Sequence, residues 1–387
     1  MILSIITISE ITGGNILPFI NFFSSFFHKK QNHSSETTKD IATKKAAHFP
    51  FDFDRWYPYL KSNTAPSIII KISPTVAQSM VNFYKARYLQ NKDLLQTEQI
   101  NILLNLENTL KKELKIANTA GYFVRMSDRS PKDGNILTTF STPSLSDIGK
   151  SLVDKTPNEQ LISLMDIQMQ LLRCNTAEQM LHLLLSSERV YTDLLLALEC
   201  HEQVPDDTWS TSIILRHWQP WLKQEHEFRV FVHGKQVTAI SQYNGHCCYP
   251  SLLEQNQTTN QLLLINKILT YLKPLQKKIP FENYAIDLAI MPDHIQIIEL
   301  NPFEPSTGSC LFSWKTDADI LSGQHISNTP ELRIQTEANP KASELIEVIL
   351  SDLESRIDRP EQSYKAWLKE YKKSHPSADN HSPFKSL

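Results

Sequence analysis

The residues of this chain best suited to chemistry lie in YAIDLAIMPDHIQIIELNPF, residues 284–303. Alternate side chains of a strand share a face. Ile286, Leu288 and Ile290 then share one face of a first strand, and Asp287 points the other way. In a second strand Ile298 and Leu300 share one face, with Glu299 and Asn301 on the opposite one. A three-residue loop, Pro292-Asp293-His294, pairs Met291 with Ile295 and hence Asp287 with Glu299. Like charges directly opposite destabilise a ladder, unless a cation sits between them. Mg²⁺ takes oxygen ligands, commonly one or two carboxylates together with substrate phosphates. Asp287, Glu299 and Asn301 supply such a set; the plain alternative is a solvated polar face with no ligand. Pro302 cannot donate to the ladder, so the second strand should end there at a sheet edge.

Cations recur on the polar faces of neighbouring strands. In EFRVFV, residues 227–232, Phe228, Val230 and Val232 share the core face while Glu227 and Arg229 share the other. Ile213, Ile214 and Leu215 are followed by Arg216. Arginine grips phosphate with a charge-assisted fork, so Arg216, Glu227 and Arg229 would form the floor of a cleft. An exposed strand with a local Glu-Arg pair is the competing reading. The strand ending at Leu215 could offer backbone groups to an adenine edge. In YFVRMSDRSPKDG, residues 122–134, Arg125 lies in a short strand, and Arg129, Lys132 and Asp133 follow in a turn-rich segment. These cations could cover phosphates from above, or the loop is simply solvated. The chain has nine glycines and neither GxxxxGK[ST] nor GxGxxG. Phosphates therefore cannot be held by a P-loop or a Rossmann turn, and side-chain cations and metal ligands must hold any nucleotide.

The elements that must position these residues follow from periodicity. Ser67 to Ile72 reads as a strand ended by Pro74, and residues 75–90 and 93–118 are helical, with Leu103, Leu106, Leu110 and Leu114 at spacings of three and four. Tyr122 to Met126 is a strand; residues 157–172 and 176–200 are helical, with Thr176 and Gln179 forming a capping box. Ser212 to Trp218, Glu227 to Val232 and Gln236 to Gln242 are strands, with His233-Gly234 as a turn. Residues 261–273 are helical, Tyr284 to Ile290 and Ile295 to Leu300 are strands, and 340–358 form a final helix. Helices dominate the first half and antiparallel hairpins the second, which predicts an α+β fold rather than a doubly wound sheet. The division expected is a tail at 1–47, an N-terminal lobe at 48–210, a C-terminal lobe at 211–330, and a C-terminal helix and tail at 331–387.

Composition limits the partners. Hydrophobic residues make up 41% and the net charge is −3, ordinary for a globular protein and too weakly charged to expect nucleic acid. The odd number of cysteines, five, with no CxxC spacing, reads as reduced thiols in a cytoplasm-like compartment. Cys247-Cys248 beside His246 is a poor match to zinc spacings. Residues 1–27 are apolar but interrupted by Gly13, Gly14, Asn15 and Pro18. They read as a poorly ordered tail, with a peripheral membrane or partner anchor, and then a spanning or signal segment, as the alternatives. Residues 31–46 read as a linker. A monomer is expected.

From His48 to about Leu321 the chain resembles the cell division cycle protein 123 family. The resemblance rests on FPFDFDRWYPYLKSNTAPSIII (49–70), FVRMSDRSPKDG (123–134), LRCNTAEQMLHLLLSSERVYTDL (172–194), ILRHW (214–218), EFRVFV (227–232), VTAISQY (237–243), IDLAI (286–290) and IIELNPFEPSTGSCLFSW (297–314). It implies an ATP-grasp-type fold with ATP and Mg²⁺ between two α+β lobes. It implies that Arg125 and Lys132 approach the phosphates, that Arg216, Glu227 and Arg229 line the cleft, and that Asp287, Glu299 and Asn301 face the metal. Eukaryotic members promote assembly of the translation initiation factor 2 heterotrimer. Arg125 stands where those relatives carry lysine, and Glu299 where they carry aspartate. About 35 residues near 136–170 look like extra material, and the first 47 residues are unmatched.

Two functions stay open on the sequence. One is an ATP-dependent assembly factor acting on a translation initiation factor 2 subunit, of its own cell or, for a secreted microbial protein, of a host cytoplasm. The other is an ATP-grasp ligase or phosphotransferase that activates a carboxylate or another acceptor. A binding module that has lost its ligand is disfavoured by retention of Asp287, Glu299 and Asn301.

Overall fold

The computed structural model describes residues 48–91, 95–114, 120–139, 142–203, 209, 211–253, 258–324 and 329–375. The apolar and polar segments expected to form a tail and linker at 1–47, and most of the stretch from Ser374 onward, lie outside the described residues. In chain order the elements are α1 (Phe53–Leu60), β1 (Ser67–Lys71), α2 (Pro74–Tyr88), α3 (Thr97–Glu113), β2 (Tyr122–Met126), β3 (Ile136–Leu137), α4 (Leu145–Leu152), α5 (Pro157–Leu171), β4 (Arg173–Cys174), α6 (Ala177–Ser186) and α7 (Glu188–Gln203). There follow β5 (Ser212–His217), β6 (Glu227–His233), β7 (Gln236–Gln242), α8 (Thr258–Leu275), β8 (Tyr284–Ile290), β9 (Ile295–Pro302), β10 (Glu331–Arg333), α9 (Ala342–Arg356), β11 (Ile357–Asp358) and α10 (Tyr364–Ser374). Among the described residues no helix is long and apolar enough to cross a membrane.

Local sequence explains most starts and stops. Ser73 caps α2 through Val76 N, with Pro74 at the first helical position, where its missing N–H costs nothing. Thr156 with Glu159 and Thr176 with Gln179 close capping boxes on α5 and α6. The helix expected over 176–200 is two helices. They break at Ser187, whose extended backbone ends α6 and whose hydroxyl accepts from Val190 N to start α7. The β6–β7 turn is Gly234-Lys235 rather than His233-Gly234. Both of its residues have positive φ, +56° and +64°, and His233 pairs with Gln236. That is the two-residue hairpin geometry that matches strand twist.

Among the described residues the strands form three sheets. A four-stranded sheet runs β1-β5-β2-β4, antiparallel throughout. A five-stranded sheet runs β10-β7-β6-β8-β9, antiparallel except for the parallel β10–β7 pair. β11 pairs parallel with β3 in a small third sheet. The mixed architecture agrees with an α+β fold. The boundary expected at 210/211 does not separate the sheets, because β5 is an inner strand of the sheet that β1 and β2 build. β10, expected outside the second lobe, likewise joins the five-stranded sheet.

Two large cores accompany the sheets. In one, α1, α5, α8 and α9 pack on the Val230, Ile286 and Leu288 face of the five-stranded sheet. In the other, α2, α3, α6 and α10 pack on the four-stranded sheet. A smaller cluster of Phe231, Ala239, Ala285, Phe312 and Leu321 covers the opposite face of the five-stranded sheet, with Phe303 and Trp314 against it. That cover buries the face carrying Asp287, so β8 is buried at every position. α10, which the sequence reading did not anticipate, buries Tyr364, Leu368 and Tyr371 in the second core.

Candidate functional site

The hairpin β8–β9 supplies the acids. Asp287 pairs with Glu299 in register, as the sequence predicts, but by another route. The loop has four residues rather than three, since Ile290 pairs with Ile295 and Leu288 with Ile297. A β-bulge at Ile298 then restores the Asp287–Glu299 pairing. A bulge leaves one residue out of the ladder, and the Ile298 carbonyl accepts instead from Arg216 Nη1 at 2.9 Å. Thr64 closes the outer edge of β9. Its hydroxyl donates to the Ile297 carbonyl at 2.7 Å and receives Arg216 Nη2 at 3.1 Å. β9 is an edge strand and ends at Pro302, where the missing N–H requires it to end.

The cations come from both sheets. Arg229 on β6 forks onto Asp287, with Nε to Oδ1 and Nη2 to Oδ2 both at 2.7 Å. Its Nη1 donates to the Gly308 carbonyl at 2.6 Å. Asn301 Nδ2 adds a contact to Asp287 Oδ2 at 3.2 Å. Arg125 on β2 reaches Glu299 Oε1 with Nη2 at 2.6 Å; the same nitrogen donates to the Asp128 carbonyl, and Nε donates to the Met126 carbonyl. Phe53 of α1 lies beneath both Arg125 and Arg216, at 5.8 and 5.2 Å from ring centroid to guanidinium carbon, within cation–π range. Arg229 lies 5.1 Å from the Tyr243 ring centroid, and the Lys132 ammonium 5.9 Å from it.

The centre of the cluster is out of water. Arg125, Arg216, Arg229 and Asp287 are 4%, 8%, 3% and 2% exposed, while Lys132 is exposed and Glu227, Glu299 and Asn301 are half-buried. Burial pushes the Glu227 carboxyl up to about 7, against the pull of Lys132 and with the push of Asp287. Burial also raises Glu299, but the charge of Arg125 and its hydrogen bond outweigh that, with help from Lys132, and leave Glu299 below the usual carboxylate value. Asp287 sits above its ordinary value, because burial and the Glu299 charge outweigh Arg229. Burial and the neighbouring Arg125 depress Arg216 to about 10.

Of the nine residues singled out from sequence, Arg229, Asp287 and Asn301 are in direct contact, as are Arg125 and Glu299, and Asp287 faces Glu299 across the ladder. Arg216, Glu227 and Lys132 bear on this group through their charges. Leu215 is a correction. Its side chain is fully buried in the core, and its strand is paired on both sides, with Ile68 and Val124 as partners. No free backbone edge remains there for an adenine. Arg229 is not the partner of Glu227; it belongs to Asp287. The like-charge pair accordingly has a compensation that needs no metal, namely Arg229 on one acid and Arg125 on the other.

The loop cations also divide. Arg129 pairs with Asp193 at 2.7 Å. Asp133 accepts from Ser187 Oγ at 2.6 Å and Arg189 N at 3.0 Å, which ties the loop to the start of α7. Sequence reasoning missed Phe53, Thr64, Tyr243 and the Gly308 carbonyl as parts of the cluster. Only Phe53 had a sequence signal, its place in the aromatic-rich stretch before β1.

The donor chemistry suits a hard dication. An ionised carboxylate has about four acceptor positions. Asp287 uses two toward Arg229 and one toward Asn301, and Glu299 has Oε1 engaged by Arg125. Asn301 points its amide nitrogen at Asp287, which leaves its carbonyl oxygen as a further donor to a metal. Two carboxylates and an amide oxygen, with the remainder from phosphates, fit the habit of Mg²⁺.

Comparison with known proteins adds the relatives. Residues 163–351 match the model of the D123 family. The Translation initiation factor eIF2 assembly protein of Schizosaccharomyces pombe is 31% identical over 173 residues, covering 42% of this chain and 50% of the relative. The protein of the same name from Danio rerio is 27% identical over 160 residues, covering 40% and 43%. The chain spans about half the length of the curated relatives it matches. A solved structure, C-terminally truncated Cdc123 from Schizosaccharomyces pombe, aligns with a TM-score of 0.51 at 24% identity, covering 79% of this chain and all of that one. That likeness shows the fold. The family resemblance read from the sequence agrees with these matches: residues 163–351 are similar to the D123 family model, and the curated relatives are similar to the chain over about half their length.

Proposed function

We propose that this chain binds ATP with Mg²⁺ in an ATP-grasp-type cleft between its two larger sheets and acts in the cytoplasm as an assembly factor for the translation initiation factor 2 complex. The observation that carries the nucleotide reading is the convergence itself. Arg125 and Arg216 from one sheet meet Arg229, Asp287 and Glu299 from the other, and the exposed Lys132 stands over them. Such a cluster balances cations for phosphate against oxygens for a metal. Asp287, Glu299 and Asn301 would hold the ion, and Mg²⁺ would supply charge neutralisation between these acids and the phosphates. Arg229 orients Asp287 through its fork, and Arg125 orients Glu299 and favours its ionised form. Lys132 has no carboxylate within ion-pair distance among the described residues, so it is the cation best placed to take phosphate without first giving up a partner. The assembly role is supported by the curated relatives, which are named eIF2 assembly proteins.

Calorimetry with ATP, with and without Mg²⁺, tests the first half, and a parallel assay for ADP release separates binding from turnover. Mg²⁺-dependent ATP binding is expected; its absence refutes the nucleotide reading. Retention of a translation initiation factor 2 subunit on the immobilised chain tests the second half, and failure to retain any subunit refutes it.

A further inference from the structure

The loop that bears Lys132 is held from two sides. On one side it is built into the α6–α7 elbow. Asp133 caps α7 through Ser187 and Arg189, and Asn135 N donates to Ser186 Oγ at 2.7 Å. Gly134 sits so close to α6 that a Cβ there would lie 2.3 Å from the Leu183 carbonyl oxygen. On the other side the loop is held by a segment more than two hundred residues away. Arg356, the last residue of α9, donates Nη1 to the Lys132 carbonyl at 2.9 Å and to the Gly134 carbonyl at 3.3 Å. Its other nitrogens are fixed on Asp352, one turn back.

The strand that follows continues the grip. β11 pairs with β3, and the Asp358 carbonyl accepts from Thr138 N and Oγ1 at 2.8 and 3.1 Å. Asp358 Oδ2 takes Asn135 Nδ2 and His182 Nε2, each at 3.0 Å. His182 Nδ1 accepts from Tyr364 N at 3.1 Å, so the ring proton is on Nε2 and is donated to Asp358. Tyr364 in turn donates to buried Glu107 at 2.5 Å. The arm from Arg356 to Tyr364 is thus locked to the body at one end and to the Lys132 loop at the other.

We infer that this C-terminal arm is a positioning element for the phosphate-facing loop, with Arg356 as the positioning residue for Lys132. Arg356 touches none of Asp287, Glu299 or Asn301 and acts only through the backbone of Lys132 and Gly134. The argument is geometric: two backbone carbonyls flanking the Lys132–Gly134 turn are held by one guanidinium, itself fixed by Asp352. The inference rests on the nucleotide reading for its consequence, though not for its geometry.

The test compares wild type, Arg356→Ala, Arg356→Lys, Lys132→Ala and the Lys132→Ala/Arg356→Ala double variant, each titrated with ATP and Mg²⁺ and melted thermally. Arg356→Ala should weaken ATP binding about 3-fold to 10-fold, the scale of one mispositioned charge-assisted contact. Arg356→Lys should recover part of the loss and also serves if the alanine variant does not fold. The double variant should bind no more weakly than Lys132→Ala alone. Losses that multiply in the double variant would overturn the inference, because a residue acting through Lys132 has nothing left to position. Should wild type bind no ATP, the nucleotide reading falls, and amide exchange at residues 132–137 decides the geometry alone. Faster exchange there in Arg356→Ala, with α6 unchanged, upholds the arm as a clamp; unchanged exchange overturns it.

Discussion

Replacing Asp287 with asparagine probes the centre of the cluster, and the structure says that the fold will feel it. Asp287 and Arg229 have side chains only 2% and 4% exposed and share two hydrogen bonds of 2.7 Å. Asparagine can accept one of these through its carbonyl oxygen, but its amide then faces a guanidinium donor. The Arg229 charge is left buried with neutral acceptors in place of a carboxylate, that amide oxygen and the Gly308 carbonyl, and with Tyr243 beneath it. Breaking a buried pair from one side costs about 3–5 kcal/mol. With an unfolding entropy of about 2 cal/mol/K per residue, a chain of this size should lose about 4–6 °C of melting temperature. The face of β8 that carries Asp287, which the alternative sequence reading left solvated, is covered by Phe303, Phe312 and Trp314. The assay is a double-mutant cycle of Asp287→Asn, Arg229→Gln and the pair together, followed by thermal melting and ATP titration. The two single variants should not add, and the double variant should recover about 1.5–3 kcal/mol of coupling. Additive losses, or a single variant that melts within a degree of wild type, would refute the claim that these groups compensate each other in the interior.

Other outcomes follow from the same contacts. Arg229→Lys keeps the charge but loses the fork, so ATP affinity should fall by about 10-fold or more while adenosine binding stays level; calorimetry on both ligands checks this, and equal losses would mean that Arg229 only shapes the cleft. Gly134→Ala forces a Cβ against the Leu183 carbonyl oxygen at 2.3 Å. Overpacking of this kind costs about 1–3 kcal/mol, and a melting temperature equal to wild type would contradict that contact. Burial raises the Glu107 carboxyl, but hydrogen bonds from Lys111, Lys365 and Tyr364 outweigh it and bring its pKa below the ordinary 4.5. A depressed carboxylate stabilises the fold fully above its unfolded pKa, and that contribution is lost as pH falls through the folded value. Glu107→Gln should therefore be less stable than wild type at neutral pH, with the gap closing in acid below about pH 4.5; denaturation curves across that range would refute the pairing if the gap stayed constant.

What was legible in the sequence was whatever depends on short-range periodicity. The strand faces of β6 and β8, the capping box at Thr176 and the end of β9 at Pro302 are each set by residues within a few positions of one another. Their side-chain directions follow from a strand or helix repeat alone. Glu227, Arg229, Asp287, Glu299 and Asn301 could be found because each sits on the polar side of a strand whose other side is apolar, whereas Arg125 and Arg216 stood out as cations within short apolar strands. What the sequence could not show was who pairs with whom. Arg229 has Glu227 two residues away on the same face, but the sheet places Asp287 directly across the ladder from it, and a cross-strand neighbour is closer than a same-strand one. Leu215 fails for the same reason. An apolar strand next to an arginine looks the same whether it is an edge with free backbone groups or an inner strand with none, and only the pairing of β5 with both β1 and β2 decides it.

The bulge at Ile298 shows how a correct pairing can come from an incorrect path, and why the chain uses it. With a four-residue loop and a regular ladder, Asp287 would face Ile298, and Glu299 would turn to the opposite face, because a slip of one residue exchanges the faces of a strand. Inserting one residue restores Glu299 to the side of Asp287. It also strands the Ile298 carbonyl, which must find a donor. That donor is Arg216, which comes from the other sheet and also binds Thr64 on the outer edge of β9. The defect that brings the two acids together is therefore also a point at which the two sheets are joined. A substitution at Arg216 should then disturb the relation between the sheets as well as the charge of the site, which no feature of the ILRHW string announces.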